Sequence, residues 1–235
     1  MKIAVLSDIH GFSLAFDRVL DDIRSVPDID QIVIAGDICQ GGPDPKGVLD
    51  RIGALDAVVV QGNTDRDLAE NVDITNTDRF TIEQIGNEGL AYLRSLPFSH
   101  RVTPPDSDDP WDELLVVHAN PFDQDRHIRP DAGEHELHEL IGDTEAAVIA
   151  FGHLHIAYIR DLERTTLVDV SAVGNPKDGD LRSKWGLIEW SPQRRRWIST
   201  LHYVDYPLEE TVVQIRESGI PNPEKKIETL KKASY

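Results

Sequence analysis

Cysteine is almost missing from this 235-residue chain, in which Cys39 stands alone. A single cysteine excludes an internal disulfide and is typical of a reducing compartment, so we expect a cytoplasmic protein. The chain also lacks any run close to the ~18 consecutive apolar residues of a membrane-spanning helix. The apolar run after Lys2 is too short for a secretory signal and meets acidic Asp8 at once. We therefore predict no membrane association.

Positive charge is scarce as well. The chain has 24 Lys and Arg against 42 Asp and Glu, which gives a formal net charge of −18 at pH 7. This excess of negative charge repels phosphate backbones and argues against general nucleic-acid binding. A small phosphorylated substrate remains compatible with it wherever cations neutralise the site locally. The composition leaves homo-oligomerisation open.

The first sixty residues alternate between predicted strands and helices. Apolar runs rich in β-branched residues lie at 3–6, 31–35 and 57–60. Apolar residues recur between them at helical spacing, and we expect Ser13 to cap the first helix and Asp44 the second. This alternation is typical of right-handed βαβ units in a parallel sheet.

The second half of the chain changes its pattern. No defined element is predicted for residues 66–80, and a helix is predicted from Ile82 onward. Residues 104–110 are predicted to form an acidic surface loop between two strands. Buried strands are predicted at 114–117 and 147–151, with a short helix at 134–141. From Ala157 onward, short alternating segments predict antiparallel hairpins, and the economical arrangement is a second sheet packed on the first. These segments lie at 158–162, 166–170, 185–190 and 197–204, and terminal helices are expected at 208–217 and 223–232.

Five of the predicted strands end in turns that carry side chains able to bind metals. A lone histidine or a Gly-Asp pair after a strand is more often a plain polar turn. Seven such residues at the carboxyl ends of strands, where open α/β sheets place their chemistry, are poorly explained as separate turns. Imidazole and carboxylate together suit two divalent transition-metal ions, and the central Asp37 is the best candidate for a shared ligand. The seven residues are Asp8, His10, Asp37, Asn63, His118, His153 and His155.

These motifs resemble the calcineurin-like metallophosphoesterases. The resemblance covers most of the chain, is weaker in 66–112 and near the C-terminus, and points to small bacterial and archaeal phosphodiesterase-type members. It rests on Asp8-Ile9-His10, Gly36-Asp37, Gly62-Asn63-Thr64-Asp65, His118, Gly152-His153-Leu154-His155, GGPDP at 41–45 and SAVGNPKDGD at 171–180.

The resemblance implies an α/β fold, a four-layer α/β/β/α sandwich of two mixed β-sheets flanked by helices, with residues 1–235 as a single metallophosphoesterase domain. It implies a metal-bridging hydroxide as nucleophile and two divalent ions, manganese first, with iron, zinc or nickel as alternatives. One ion would be held by Asp8, His10, Asp37 and His155, and the other by Asp37, Asn63, His118 and His153.

The chain departs from the family pattern at Thr64, where several relatives carry a histidine that protonates the leaving group. His127 is a candidate replacement, with a merely solvated side chain as the alternative. Asp65 is expected either to orient a site residue or to cap a helix. Arg66 and Lys177 are candidate phosphate clamps, with surface solvation as the alternative.

We therefore predict a metal-dependent phosphoesterase acting on phosphodiester or nucleotide-type substrates. The alternatives are a phosphomonoesterase or phosphoprotein phosphatase, and a non-catalytic protein-binding scaffold of the same fold, as in a eukaryotic retromer subunit. A scaffold can lose metal ligands freely, and this chain has lost none of the seven, which disfavours that alternative.

Overall fold

Ten strands and seven α-helices make up the part of the chain that the computed structural model describes, residues 1–234. The first half contains β1 (Lys2–Leu6), α1 (Ser13–Ser25), β2 (Gln31–Ile34), α2 (Pro45–Gly53), β3 (Ala57–Val59), α3 (Asn63–Glu70), α4 (Asn76–Ser95) and β4 (Ser99–Val102). The second half contains β5 (Leu114–Val117), α5 (Glu134–Ile141), β6 (Val148–Phe151), β7 (Tyr158–Asp161), β8 (Thr166–Asp169), β9 (Ser183–Ser191), β10 (Arg196–Val204), α6 (Leu208–Glu217) and α7 (Pro223–Lys232).

The first sheet has the strand order β10-β9-β1-β2-β3. β1 pairs in parallel with β2, and β2 with β3, with Val5 opposite Val33 and Val33 opposite Val58. The βαβ units predicted for the N-terminal region are therefore confirmed. β9 runs antiparallel to β1 and carries the hairpin partner β10 at the edge of this sheet.

The second sheet has the order β4-β5-β6-β8-β7. Parallel pairing joins β5 to β6 and β6 to β8, whereas β4 and β7 run antiparallel at the two edges. Both predicted C-terminal hairpins form, but each joins a different sheet: β7–β8 extends the second and β9–β10 extends the first. Both sheets are thus mixed, as predicted.

The two sheets pack face to face, and their side chains alternate between two cores. Ile3 and Val5 of β1 meet Val116 of β5 and Val168 of β8 between the sheets. The intervening β1 residues face a second core beneath α1, α2, α4, α6 and α7. The outer face of the second sheet is covered by α5. This is the predicted four-layer α/β/β/α sandwich, and burial on both faces explains the continuous apolar runs of β1, β5 and β6.

Two local predictions need correction. Ser13 is the first residue of α1 and makes no cap; its hydroxyl accepts a hydrogen bond from the Gln214 side chain instead. The segment at 66–80, for which the sequence predicts no defined element, contains the end of α3, a short connection and the start of α4. A reciprocal capping box between Thr75 and Asp78 begins α4, and positive φ at Gly86 kinks it. The Asp44 cap of α2 forms as predicted, on the Gly47 N–H.

No helix within residues 1–234 combines the length and the apolar character needed to cross a membrane.

Replacement of Phe16 by alanine is expected to lower the free energy of unfolding by about 3–5 kcal/mol, because the ring is wholly buried beneath the first sheet. Urea denaturation measures this change. The matched control is Phe98→Ala, since that ring is 37% exposed, and it should cost about 1 kcal/mol or less. Equal losses in the two variants would contradict the placement of this core.

Candidate metal centre

All seven predicted ligand residues meet in one place, where the carboxyl ends of β1, β2, β5 and β6 lie side by side. Asp8 and His10 follow β1, Asp37 follows β2, and His118 follows β5. His153 and His155 follow β6, and Asn63 begins α3. Each of the seven side chains lies within 3.6 Å of another member of the group.

One part of the group surrounds the carboxyl end of β1. His155 Nε2 lies 3.1 Å from Asp8 Oδ1 and 3.2 Å from His10 Nε2. His10 Nε2 also lies 3.5 Å from Asp8 Oδ1 and 3.6 Å from Asp37 Oδ2. These four side chains therefore converge with two nitrogen and two carboxylate donors.

The other part of the group gathers around His118. Its Nε2 lies 2.9 Å from Asn63 Oδ1, 3.1 Å from His153 Nδ1 and 3.5 Å from Asp37 Oδ1. The two carboxylate oxygens of Asp37 thus face different sets of histidines.

The four histidines are held by backbone carbonyls on the side away from the centre. In each ring one nitrogen is 2.7–2.8 Å from a carbonyl oxygen, and the other nitrogen faces the cluster. Such a bond sets the tautomer and the orientation of a metal-binding imidazole. The pairs are His10 Nδ1 with Gln40, His118 Nδ1 with Ala35, His153 Nε2 with Asp125, and His155 Nδ1 with Asn175.

Buried charges interact strongly in this cluster. Burial disfavours the charged form of Asp8, but His155 and His10 outweigh it and hold the pKa of that carboxyl well below its usual range. Burial also disfavours protonation of His10, yet Asp8 and Asp37 raise its pKa to about 9. The buried carboxylates favour protonation of the neighbouring imidazoles. Divalent cations bound at this site would neutralise the negative charge of the carboxylates more completely.

The backbone of the centre is strained at five of the seven residues. Asp8, His10, Asp37, His153 and His155 all have φ between 49° and 68°. This left-handed region is uncommon for residues other than glycine, and it costs free energy that the surrounding structure must offset. Its concentration in the loops after three strands is typical of functional sites.

Two glycines leave room for the carboxylates. A Cβ atom on Gly62 would lie 2.1 Å from Asp37 Oδ1, and one on Gly152 would lie 2.2 Å from Asp8 Oδ2. A side chain at either position would therefore displace a candidate ligand. This contact explains why glycine precedes Asn63 and His153 in the motifs.

Asp65 is wholly buried and makes the contacts expected of both roles considered for it. Its carboxylate accepts hydrogen bonds from the backbone N–H groups of Asp37, Ile38 and Gly62, at 2.8, 3.1 and 3.0 Å. The last of these contacts belongs to the first turn of α3, and the other two hold the loop after β2. Burial and the nearby Asp37 raise the pKa of Asp65 to about 7.

Arg66 lies beside the centre with its guanidinium already engaged. It donates five hydrogen bonds, to the carboxylates of Asp67 and Asp125 and to the Gln124 side chain. Because the Asp125 carbonyl accepts from His153 Nε2, Arg66 supports the segment that orients a candidate ligand. A phosphate would have to displace one of these acceptors to bind Arg66.

The remaining predicted residues lie around the centre. His127 is exposed, and its ring centroid is 5.9 Å from that of His153. Lys177 is joined to His155 through its backbone N–H, and its ammonium donates to Asn175 Oδ1. The Thr64 N–H donates to Asp37 Oδ1 at 3.0 Å, while its hydroxyl oxygen is buried without a hydrogen bond in residues 1–234.

Sequence reasoning did not select Gln40, Asp125 or Asn175, whose carbonyl groups hold three of the histidines. A carbonyl acceptor can belong to any residue type, so the side chains carry no signal for this role. Asn175 offered a partial signal, because it lies in the SAVGNPKDGD stretch that resembles the family.

Comparison with known proteins agrees with this geometry. A family model described as calcineurin-like phosphoesterase matches residues 1–157, a range that contains all seven candidate ligands. An uncharacterized protein of Methanocaldococcus jannaschii is 25% identical over 93% of both chains. The crystal structure of a metallophosphoesterase from Sphaerobacter thermophilus superposes with a TM-score of 0.75, at 25% identity over 99% of both chains.

The fold is also shared with a hypothetical protein of Pyrococcus horikoshii, with a TM-score of 0.85 and 20% identity over 99% of this chain and 98% of the other. The family match, the two mixed sheets and the cluster of candidate metal ligands agree with one another. The chain belongs to the calcineurin-like phosphoesterase family, whose members bind divalent metal ions and hydrolyse phosphoesters.

Proposed function

We propose that this protein is a phosphoesterase that uses two divalent transition-metal ions, manganese first, to hydrolyse phosphodiester or nucleotide-type substrates. The observation that carries the proposal is the position of Asp37, whose two oxygens face two separate groups of oriented imidazoles. We further propose that residues 1–235 act as a single metallophosphoesterase domain, which the shared core between the sheets supports.

The residues present fit two ions. Asp8, His10, His155 and Asp37 Oδ2 would hold one, and Asn63, His118, His153 and Asp37 Oδ1 would hold the other. The mixture of nitrogen and oxygen donors suits Mn²⁺, Fe²⁺, Zn²⁺ or Ni²⁺. When bound, such a pair of ions supplies a hydroxide nucleophile at neutral pH and stabilises charge on the phosphate oxygens.

Other residues of the chain would orient the site and move a proton. We assign Asp65 a positioning role, because it holds the backbone of Asp37. Arg66 would position His153 through Asp125. A role of Arg66 as a phosphate clamp stays a prediction. His127 is our candidate for protonating the leaving group, since its exposed ring lies beside His153 and is able to meet a substrate.

Asp37→Ala is expected to lower kcat/KM on a chromogenic phosphodiester by roughly 10³-fold or more, because the charge that joins the two ion sites is lost. Metal analysis should find fewer bound ions per chain than in the wild type. Asp21→Ala on the exposed face of α1 is the matched control and should behave as the wild type. Near-normal activity of Asp37→Ala would refute the shared-ligand role.

The phosphoesterase proposal itself is tested with the wild-type protein and Mn²⁺, Fe²⁺, Zn²⁺ or Ni²⁺. Phosphodiesters, nucleotides and phosphomonoesters, including phosphopeptides, form the substrate panel. Hydrolysis that needs added metal supports the proposal. Absence of turnover in protein shown to hold two ions would overturn it in favour of a non-catalytic scaffold.

Gly152→Ala should push the Asp8 carboxylate out of place, because the new Cβ would lie 2.2 Å from Oδ2. We expect metal affinity, measured by calorimetry, to fall by about 10–100-fold, the usual scale when a metal ligand loses its support. Gly53→Ala is the matched control, since no atom lies within 4 Å of its Cβ position. Equal affinities in the two variants would contradict this packing constraint.

His127→Gln should lower the hydrolysis of alkyl phosphodiesters by about 10²-fold, the scale of general acid catalysis. Hydrolysis of a p-nitrophenyl ester should change far less, because that leaving group departs without a proton. His135→Gln provides the control, as this imidazole is 91% exposed on α5. An equal effect of His127→Gln on both esters would remove His127 from the acid role.

A further inference from the structure

The side chain of Lys184, near the start of β9, is wholly buried. Lysine is almost never fully buried unless a partner satisfies its charge. The Lys184 ammonium donates to Asp178 Oδ1 and to the Asp180 carbonyl, each at 2.7 Å. The Asp178 side chain is itself only 15% exposed. Neither charge has a part in the proposed hydrolysis, so this buried ion pair requires another explanation.

Stability alone explains a buried ion pair poorly. Moving two charges out of water costs free energy that their attraction offsets only in part, and apolar side chains in their place are often equally stable. A buried pair does fix the relative position of the two segments that carry it, because separating the charges would leave each one unpaired. Here the two segments are β9 and the loop between β8 and β9, residues 170–182.

The loop between β8 and β9 supports two candidate metal ligands. The Asn175 carbonyl accepts a hydrogen bond from His155 Nδ1 at 2.8 Å. The Lys177 N–H donates to the His155 carbonyl, and the Gly174 N–H donates to the Asp8 carbonyl, both at 2.9 Å. His155 is therefore held by this loop through its ring and through its backbone.

Asp178 connects the same loop to the buried ammonium. Its Oδ1 accepts from Lys184, and its Oδ2 accepts from the Ala157 N–H at 3.4 Å. Ala157 lies two residues beyond His155, whose φ of 58° is in the left-handed region. A strained backbone keeps its conformation only where the surrounding structure holds it. The ion pair thus fixes the loop that holds both the ring and the backbone of His155.

We propose that the ion pair of Lys184 and Asp178 positions His155 for the metal ion that Asp8 and His10 would also bind. The inference rests on the proposed function and adds two positioning residues, neither of which touches the ion. Both lie beyond residues 1–157, the part of the chain that the family model matches.

The ion pair should act on one of the two ions only. The imidazoles of His118 and His153 are oriented by the carbonyls of Ala35 and Asp125, which lie outside the loop between β8 and β9. Loss of the pair should weaken binding of the ion at His155 by about 10–100-fold, the usual scale for residues that support a ligand. The affinity for the second ion should stay within about threefold of its original value.

Calorimetric titration of Mn²⁺ into metal-free protein tests this selective loss. The double variant Lys184→Met with Asp178→Asn removes both charges together, so that neither is left buried alone and the fold is kept. It should lose affinity for one Mn²⁺ and not for the other. The matched control is Arg195→Met with Asp112→Asn, because that ion pair precedes β5 and β10, away from the carboxyl ends that carry the ligands. The control should bind both ions as the wild type does.

A second comparison separates positioning from a general effect on the fold. In a His155→Ala background, the double variant should cause no further loss of Mn²⁺ affinity, because its effect passes through that imidazole. A further loss of about tenfold or more would overturn the positioning role. Equal losses for both ions, or no loss in the double variant, would overturn it as well.

Circular dichroism establishes that each variant is folded before titration. Asp178→Asn alone keeps the shape of the side chain and carries the same expected loss, so it replaces the double variant should that protein fail to fold. Hydrolysis is measured separately from binding. Two bound ions without turnover of any phosphoester would refute the proposed function, while the titration would still decide the role of the ion pair.

Discussion

The buried carboxylate of Asp65 ties together the two segments on which the centre depends. It accepts from the backbone N–H groups of Asp37 and Ile38 after β2 and from that of Gly62 before α3. These bonds place Asp37 with one oxygen toward His10 and the other toward His118. A buried carboxylate satisfied by backbone donors is a rigid support, because moving it would leave several polar groups unpaired. The loop that Asp65 holds therefore contributes a carboxylate that contacts both groups of histidines.

The four-layer architecture explains why one centre draws on so many segments. Each sheet has its own edge of parallel carboxyl ends, and face-to-face packing brings the two edges together. Each proposed ion site therefore takes side chains from both sheets: Asp8 and His10 meet His155, while Asp37 and Asn63 meet His118 and His153. Ions bound there would join the two sheets, so metal binding and folding stability should be linked. Binding of these ions would also offset the free-energy cost of the left-handed backbone at five of the candidate ligand residues.

The apolar runs of β1, β5 and β6 predicted buried strands because these strands are buried on both faces, whereas the four-layer arrangement was implied by the resemblance to the family. The sequence predicted which seven residues would meet, because strand ends bring their turns to a common edge. It did not predict which sheet each hairpin would join, since a period-two pattern marks a strand without identifying its neighbour. The cap of α4 was missed although Thr75 and Asp78 have the spacing of a capping box. The carbonyl groups that orient the histidines could not be predicted from the sequence, because a residue of any type can supply a carbonyl group.

In the proposed function, the metal ligands and the residues that would surround the rest of the substrate come from different parts of the chain. Residues 1–157 contain all seven candidate ligands, and the nearby Arg66 is bound by the carboxylates of Asp67 and Asp125. With that guanidinium occupied, attraction of an anionic substrate toward an acidic surface must come from the ions themselves and from other cations at the edge of the site. Lys177, a predicted phosphate clamp, follows the last candidate ligand in the sequence and donates its backbone N–H to the carbonyl of His155. Changes in the segments after the last candidate ligand would therefore alter the charges around the rest of a substrate and leave the proposed metal ligands in place.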